Sequence, residues 1–296
     1  MDEKDWTMFK IVAEEKSITQ AAEKLFVSQP ALSYRLKNLE AEIGARLLLR
    51  TTNGILLTPQ GEVFLDHIDK LCRDVERMKD HIKSIGATTQ GPLHVGCSCT
   101  FAYYELAPSL HHFVDKYPEV KVHVRTALSD EVLRMLEREE IAVGVLRGDY
   151  PWREERMQLL EEPICLVYHK SLSLEELTVH PRLSFITDTP LTRDTDLWLK
   201  EQFGMIPPPA MFLDSIETCR QFVKNKLGWA ILPEMGLEEM KDSFYVKPLY
   251  HEDGTPFVRK TELFYRKEAM NLPAVNAFID FMREHYQGSA QEAQKS

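Results

Sequence analysis

Long apolar runs are missing from this chain of 296 residues. No window approaches the roughly 18 consecutive apolar residues that a membrane-spanning helix needs. The opening Met1-Asp2-Glu3-Lys4-Asp5-Trp6 is acidic where a secretory or transit segment is basic, so a cytoplasmic protein without a membrane partner is expected. Cysteine is sparse and unpaired in pattern. Cys72, Cys97, Cys99, Cys165 and Cys219 are odd in number and lack C-x-x-C spacing, which points away from a disulfide framework and from a structural zinc site. Excess positive charge is absent as well: 36 Lys and Arg against 46 Asp and Glu leave a formal charge of −10, unlike a protein that coats nucleic acid non-specifically. The sequence contains no H-E-x-x-H, nucleophile elbow, G-x-G-x-x-G or P-loop, so neither an enzyme nor a cofactor is expected.

What the chain does contain is uneven along its length. Up to Gly61 the eight basic residues balance eight acidic ones, so the acidic excess lies in the remainder. Trp6, Phe9, Ile11 and Val12 have helical apolar spacing, and Ser17 is a candidate N-cap for a short helix with Ala21, Ala22 and Leu25. Ser28 is a second candidate N-cap. Pro30 near the start, then Leu32, Leu36, Leu39 and Ile43, give an amphipathic third helix whose polar face carries Gln29, Ser33, Tyr34, Lys37 and Asn38. Such side chains suit base edges and phosphates, and they equally suit a solvated helix face. The apolar runs around Asn53-Gly54 then predict a hairpin, which after three helices forms a wing.

Thr58-Pro59 opens a long helix running to Ile85, with Gly86 as its stop signal. Within it Phe64, Ile68, Leu71, Val75, Met78, Ile82 and Ile85 alternate spacings of four and three, the seam of a two-stranded coiled coil. A dimer through this seam is expected. From Leu93 onward short apolar strands alternate with helices: Leu93–Gly96, Val120–Val124, Ile141–Leu146, then Ile164–Tyr168, Leu183–Ile186 and Trp229–Pro233. This order predicts two α/β lobes with parallel sheets and a ligand cleft between them.

Ser17-Ile18-Thr19-Gln20-Ala21-Ala22, Leu25 to Ser33, Leu39-Glu40, Leu47, Leu49-Arg50 and Thr58-Pro59-Gln60-Gly61 resemble the N-terminal signature of the LysR family of transcriptional regulators. The resemblance extends over almost the whole chain. It implies a winged helix-turn-helix DNA-binding domain over residues 1–57, a dimerising linker helix over 58–86, and an effector-binding domain over 87–296. The last of these would be like a periplasmic binding protein, with two Rossmann-like lobes (lobe I 92–161 and 267–287, lobe II 162–266). Double-stranded operator DNA, a small-molecule effector and further copies of the chain, as a dimer or tetramer, are the implied partners. Ser28, Gln29, Pro30, Ala31, Ser33, Tyr34, Arg35, Lys37, Arg50 and Thr51 would meet DNA.

Candidate effector residues follow the strand ends. Ser98 and Thr100 end the first strand of the sensor, and Ser129 precedes its second helix, where hydroxyls serve either as caps or as anion ligands. Arg147 follows the strand ending in Leu146, and Arg259 follows a Gly254-Thr255-Pro256 turn; guanidinium groups there suit a carboxylate or phosphate, or a surface ion pair. Arg147 to Trp152, Asp214 to Cys219 and Gly228 to Pro233 resemble the citrate-responsive catabolite-control branch of the family, which implies a carboxylate such as citrate, with Thr187 and Thr192 completing the site. Cys97 and Cys99 flank Ser98 and offer a redox alternative: strand alternation would put both on one face, and helix-start amides would lower a thiol pKa.

Overall fold

A computed structural model describes residues 1–51, 54–84, 89–172 and 175–293, and the chain divides into two compact units, Met1–Lys83 and Ser84–Ser296. Among the described residues no helix is long and apolar enough to cross a membrane.

In the first unit, α1 (Glu3–Glu15) starts at a capping box in which Asp2 and Asp5 each accept the other's backbone N–H. Ser17 caps α2 (Ile18–Lys24), accepting from the Gln20 N–H, and Ser28 caps α3 (Gln29–Ile43), accepting from the Ala31 N–H. Met8, Phe9, Val12, Ala21, Ala22, Leu32, Leu36 and Leu39 form the shared core. The hairpin follows as β1 (Leu48–Thr51) and β2 (Gly54–Leu57), with Thr51 opposite Gly54. Of the expected Asn53-Gly54 turn, Asn53 lies outside the described residues. Glu40 ties α3 to the wing, its Oε1 accepting from the N–H groups of Leu47 (2.8 Å) and Leu48 (3.1 Å).

The linker helix is α4 (Pro59–Ser84). Thr58 caps it by accepting from the Gly61 N–H at 2.9 Å while donating to the Arg46 carbonyl at 2.7 Å. Gly61 has to be glycine there, because a Cβ would lie 2.1 Å from the Leu47 carbonyl oxygen. Only part of the expected seam is free. Phe64 and Ile68 pack into the core of their own unit, with Phe64 edge-on to Phe9 at 5.0 Å, whereas Leu71, Met78 and Ile82 are 41%, 54% and 61% exposed and Val75 is half-buried. A heptad pattern cannot tell a partner helix from the helix's own domain, and here the first two positions serve the domain. Ile85 lies outside the described residues.

The second unit begins with β3 (Gly91–Ser98), then α5 (Cys99–Phe101), a π-helical turn (Ala102–Leu106) and α6 (Ala107–Lys116). Next come β4 (Val120–Ala127), α7 (Ser129–Glu137), β5 (Val143–Arg147) and the long β6 (Glu155–His169). The second half contains β7 (Leu183–Phe185), α8 (Thr189–Phe203), β8 (Met211–Leu213), α9 (Ile216–Lys224), β9 (Ala230–Pro233), β10 (Phe244–Pro248), β11 (Val258–Tyr265) and α10 (Pro273–Ala293).

β3 pairs in parallel with β4 and β5, as the alternation of strands and helices predicts. The main sheet then runs β10-β6-β11-β5-β3-β4, with β9 also on β6. β11 and β6 are antiparallel, and β6 changes partners at Pro163: residues 155–163 face β11, and residues 164–169 face β9 and β10. β7 and β8 form a separate parallel pair. Two expectations change. The second lobe is mixed and not wholly parallel, because β9 and β10 return antiparallel on β6. The lobe boundary at 161/162 falls inside β6, and β11 belongs with lobe I, since it pairs with β5 and places Leu263 and Tyr265 in that core. Strand periodicity carries no record of which sheet a strand will join. The last helix continues through Ala293.

Replacing Gly61 with alanine should lower the stability of the first unit by about 1–3 kcal/mol, as overpacking against fixed backbone does. Thermal melting of the full-length chain tests this; a wild-type melt would show that the start of α4 can shift away from Leu47.

Candidate DNA-reading face and effector site

The exposed side of α3 carries Gln29, Pro30, Ala31, Tyr34 and Lys37, with Ser28 at its N-cap. Tyr34 is 69% exposed. Ser33 joins this face to the wing, its Oγ lying 3.3 Å from Gln29 Nε2 and 3.4 Å from Arg50 Nη2. Thr51 donates from Oγ1 to the Gly54 carbonyl at 3.0 Å and so steadies the end of the hairpin. Arg35 departs from the expectation. Its Nε donates to Asp5 at 2.7 Å and its Nη2 to Asp2 at 3.3 Å, so its charge is compensated by α1 and is not free for phosphate. Helical spacing places residue 35 near the groove-facing residues but does not reveal the carboxylates that α1 brings beside it.

In the second unit a charged cluster lies buried at the C-terminal ends of β3 and β5, where strand order makes a crevice in an open α/β sheet. Arg147 is 1% exposed and pairs with Glu162. Glu162 also accepts from the Met235 N–H, which ties β6 to the segment after β9. Arg259 is 5% exposed, pairs with Asp188 at the N-cap of α8, and donates to the Arg147 carbonyl at 3.3 Å. Arg220 on α9 is equally buried; its Nη1 donates to Glu217 at 2.7 Å and to the Tyr104 hydroxyl at 2.6 Å, and its Nη2 to the Met235 carbonyl. Three buried arginines thus face three carboxylates, an arrangement that keeps charges tolerable in a low dielectric.

Electrostatics bind the cluster together. Burial pulls Arg147 well below the usual guanidinium range, and the neighbouring Arg259 and Arg220 add to this while Asp188 opposes it. Burial likewise pushes the Tyr104 hydroxyl up to about 12, helped by its hydrogen bond to Glu217. Hydrogen-bond capacity is left over: Arg147 Nε, Arg220 Nε, Arg259 Nε and Nη1, Ser98 Oγ and Thr261 Oγ1 are buried without a partner. Thr261 stands opposite Arg147 across β11 and β5. Glu162, Arg220, Glu217 and Tyr104 also line a cavity of about 660 Å³, to which Arg147, Arg259 and Ser98 do not contribute.

The remaining expected site residues divide. Ser98 makes no capping hydrogen bond, so the plain cap alternative fails for it. Thr100 is half-buried at the start of α5. Ser129 is fully buried and accepts from the Arg147 N–H at 3.0 Å, which makes it a brace for the arginine. Thr187 and Thr192 line another cavity, within lobe II, to which Ser98, Ser129, Arg147 and Arg259 do not contribute, and Thr192 donates to the Asp188 carbonyl at 3.1 Å. They do not join the arginine cluster. Glu162, Asp188, Glu217, Arg220 and Tyr104 belong to the site and escape a sequence reading; Glu162 sits in an alternating strand and Arg220 in an amphipathic helix, where a charged residue ordinarily marks the solvent side.

A contact clasps the two lobes. Asp130, at the start of α7 in lobe I, accepts from the Tyr150 hydroxyl at 2.8 Å and from the N–H and hydroxyl of Thr189 in lobe II at 2.9 and 3.0 Å. Gly148 lies so near Pro190 of α8 that a Cβ would come within 2.7 Å of that ring. Cys97 and Cys99 do not share one strand face as expected. β3 ends at Ser98, so Cys97 is wholly buried while Cys99 is exposed on the following turn, and burial raises the Cys97 thiol far above its ordinary value where helix-start amides were expected to lower it. Among the described residues no group of three or more His, Cys, Asp or Glu is placed to hold a metal ion.

Glu162→Ala should destabilise the second unit by about 3–5 kcal/mol, because it strands the buried Arg147 charge. Adding Arg147→Met should recover part of that loss in denaturant melts; strictly additive effects of the two changes would show that the pair is not coupled.

Comparison with known proteins agrees with this geometry. The family model for bacterial regulatory helix-turn-helix proteins of the lysR family matches residues 4–62, and that for the LysR substrate binding domain matches residues 86–287. The chain is 36% identical over 283 residues to the uncharacterized HTH-type transcriptional regulator YraN of Bacillus subtilis (strain 168), covering 96% of this chain and 98% of the relative. It is 30% identical over 279 residues to the uncharacterized HTH-type transcriptional regulator YkuM of the same organism, covering 94% and 95%. Among solved structures, full-length CbnR complexed with its target DNA has the same fold, with a TM-score of 0.70 at 21% identity over 96% of this chain and 99% of that one.

Proposed function

Given that this chain belongs to the LysR family of DNA-binding transcriptional regulators, we propose that its effector is a multiply charged carboxylate such as citrate, bound at the buried arginine cluster. One observation carries this: arginine N–H groups and two hydroxyls are buried beside one another without acceptors, although each arginine already has a carboxylate partner. Carboxylate oxygens are the acceptors that guanidinium N–H groups match best. A ligand with several of them meets the unpaired donors and competes with Glu162 and Asp188 for the paired ones. Ser98 and Arg259 contact the ligand directly in this reading, and Ser129 and Asp188 hold Arg147 and Arg259 in place. Exchange of ion-pair partners then alters the grip between lobes, since Asp188 lies beside the Asp130–Thr189 clasp.

On the DNA side Gln29, Pro30, Ala31, Ser33 and Tyr34 meet the major groove, with Lys37, Arg50 and Thr51 near the backbone. The free half of the α4 seam, from Leu71 to Ile82, pairs with the same helix of another copy, giving a dimer that spans two half-sites in the cytoplasm and that assembles further into a tetramer.

Isothermal titration of the full-length chain with citrate should show saturable binding that is weakened about tenfold or more by Ser98→Ala and by Arg259→Lys. Absence of binding by citrate and by other di- and tricarboxylates would discard the carboxylate reading. On an operator fragment, Gln29→Ala should relax the choice at one base, and Lys37→Ala should weaken binding to every sequence and reduce the salt dependence. Identical behaviour of the two variants would overturn the division into base and phosphate contacts.

A further inference from the structure

The lobe II cavity lined by Thr192 has a volume of about 240 Å³ and its own charged groups. One wall is a strand face. Arg182, bridged to Trp229 just before β7, and Ser184 within β7 both line the cavity, and Phe212 on β8 stands opposite Ser184 in the parallel register. The other wall is α8, where Thr192, Thr195 and Asp196 share one face at spacings of three and four.

Arg182 is the unusual member. It is 9% exposed, yet among the described residues it has no ion-pair partner; its Nε donates to the Pro207 carbonyl at 2.9 Å. Buried arginines are ordinarily paired, because an uncompensated charge in a protein interior is costly. Asp196 lines the same cavity and attracts Arg182 electrostatically, but it does not close to an ion pair. A cation and an anion therefore face one space from separate walls. The Phe212 side chain, 65% exposed, gives that space an apolar side, and the threonine hydroxyls supply further donors and acceptors.

The space is smaller than the cavities that hold drug-sized ligands. A simple dianion would set its second charge against Asp196, and a simple amine would set its charge against Arg182. A small molecule with a carboxylate at one end and an ammonium close by satisfies both walls. We propose that this cavity binds a free α-amino acid with a short aliphatic side chain: carboxylate on Arg182, ammonium at Asp196, side chain against Phe212. The site is distinct from the arginine cluster at the lobe crossover and does not depend on the identity of the ligand there.

Titration of the full-length chain with L-alanine, L-valine and L-leucine tests this. At least one should bind saturably in the millimolar range or tighter, and Arg182→Met and Asp196→Asn should each weaken it about tenfold or more. Isovalerate, which lacks the ammonium of valine, and valinamide, which lacks its carboxylate, should compete at least about tenfold more weakly than valine. Thermal melts establish that the variants fold; if Arg182→Met does not, the decision falls on Asp196→Asn, whose side chain is only half-buried. No saturable binding of any of the three up to about 10 mM, isovalerate binding as tightly as valine, or wild-type affinity in Asp196→Asn would each overturn the proposal.

Discussion

The strand β6 serves both halves of the effector domain, and most of the domain's chemistry follows from that constraint. β6 lies in one core up to Pro163 and in the other beyond it, while β11 returns through the same junction. Near the crossing Glu161 and Lys260 are exposed while Glu162 and Arg259, their neighbours on the other face, are buried, so charged residues on that inner face must find partners inside. Glu162 stands immediately before the change of partner, Arg147 ends the adjacent β5, and Arg259 and Thr261 lie on one face of β11. The ion pairs are the terms on which a continuous sheet can carry charge through its middle.

The DNA-binding unit solves a different problem. Its charge is balanced overall, so affinity for phosphate has to come from placement and not from bulk charge. Arg35 shows how far the balancing goes: a cation on α3 is held by Asp5 of α1 and by Asp2 at its N-cap. Lys37 and Arg50 keep exposed positions. Glu40 and Thr58 bond backbone groups on either side of the hairpin and fix wing, recognition helix and linker in one arrangement.

Legibility in the sequence follows the range of the forces involved. The helix caps at Ser17, Ser28 and Thr58 are decided within three residues, and all three are readable. The apolar spacing of α1 to α3 and the parallel strands β3 to β5 reflect short periods and are readable too. Partner choice is not. Nothing local to β11 says that it will complete lobe I, and nothing local to Phe64 and Ile68 separates them from Leu71 and Met78. Arg147 and Arg259 stand out because each follows a strand or a turn. Glu162, Asp188 and Arg220 were invisible because they are placed by contacts 15 to 71 residues away along the chain. Thr187 and Thr192 flank Asp188, the partner of Arg259, yet side chains so close in sequence face a separate cavity.

The divided seam of α4 has a mechanical meaning. With Phe64 and Ile68 embedded beneath α1, the first turns of the helix and the reading head form one rigid lever. A helix of 26 residues spans about 39 Å, so a small swing at its base becomes a displacement of several ångströms at its end, and the reverse holds equally. The turns that carry Leu71, Met78 and Ile82 leave that core with their apolar side chains exposed, and one continuous helix joins them to the packed base of α4.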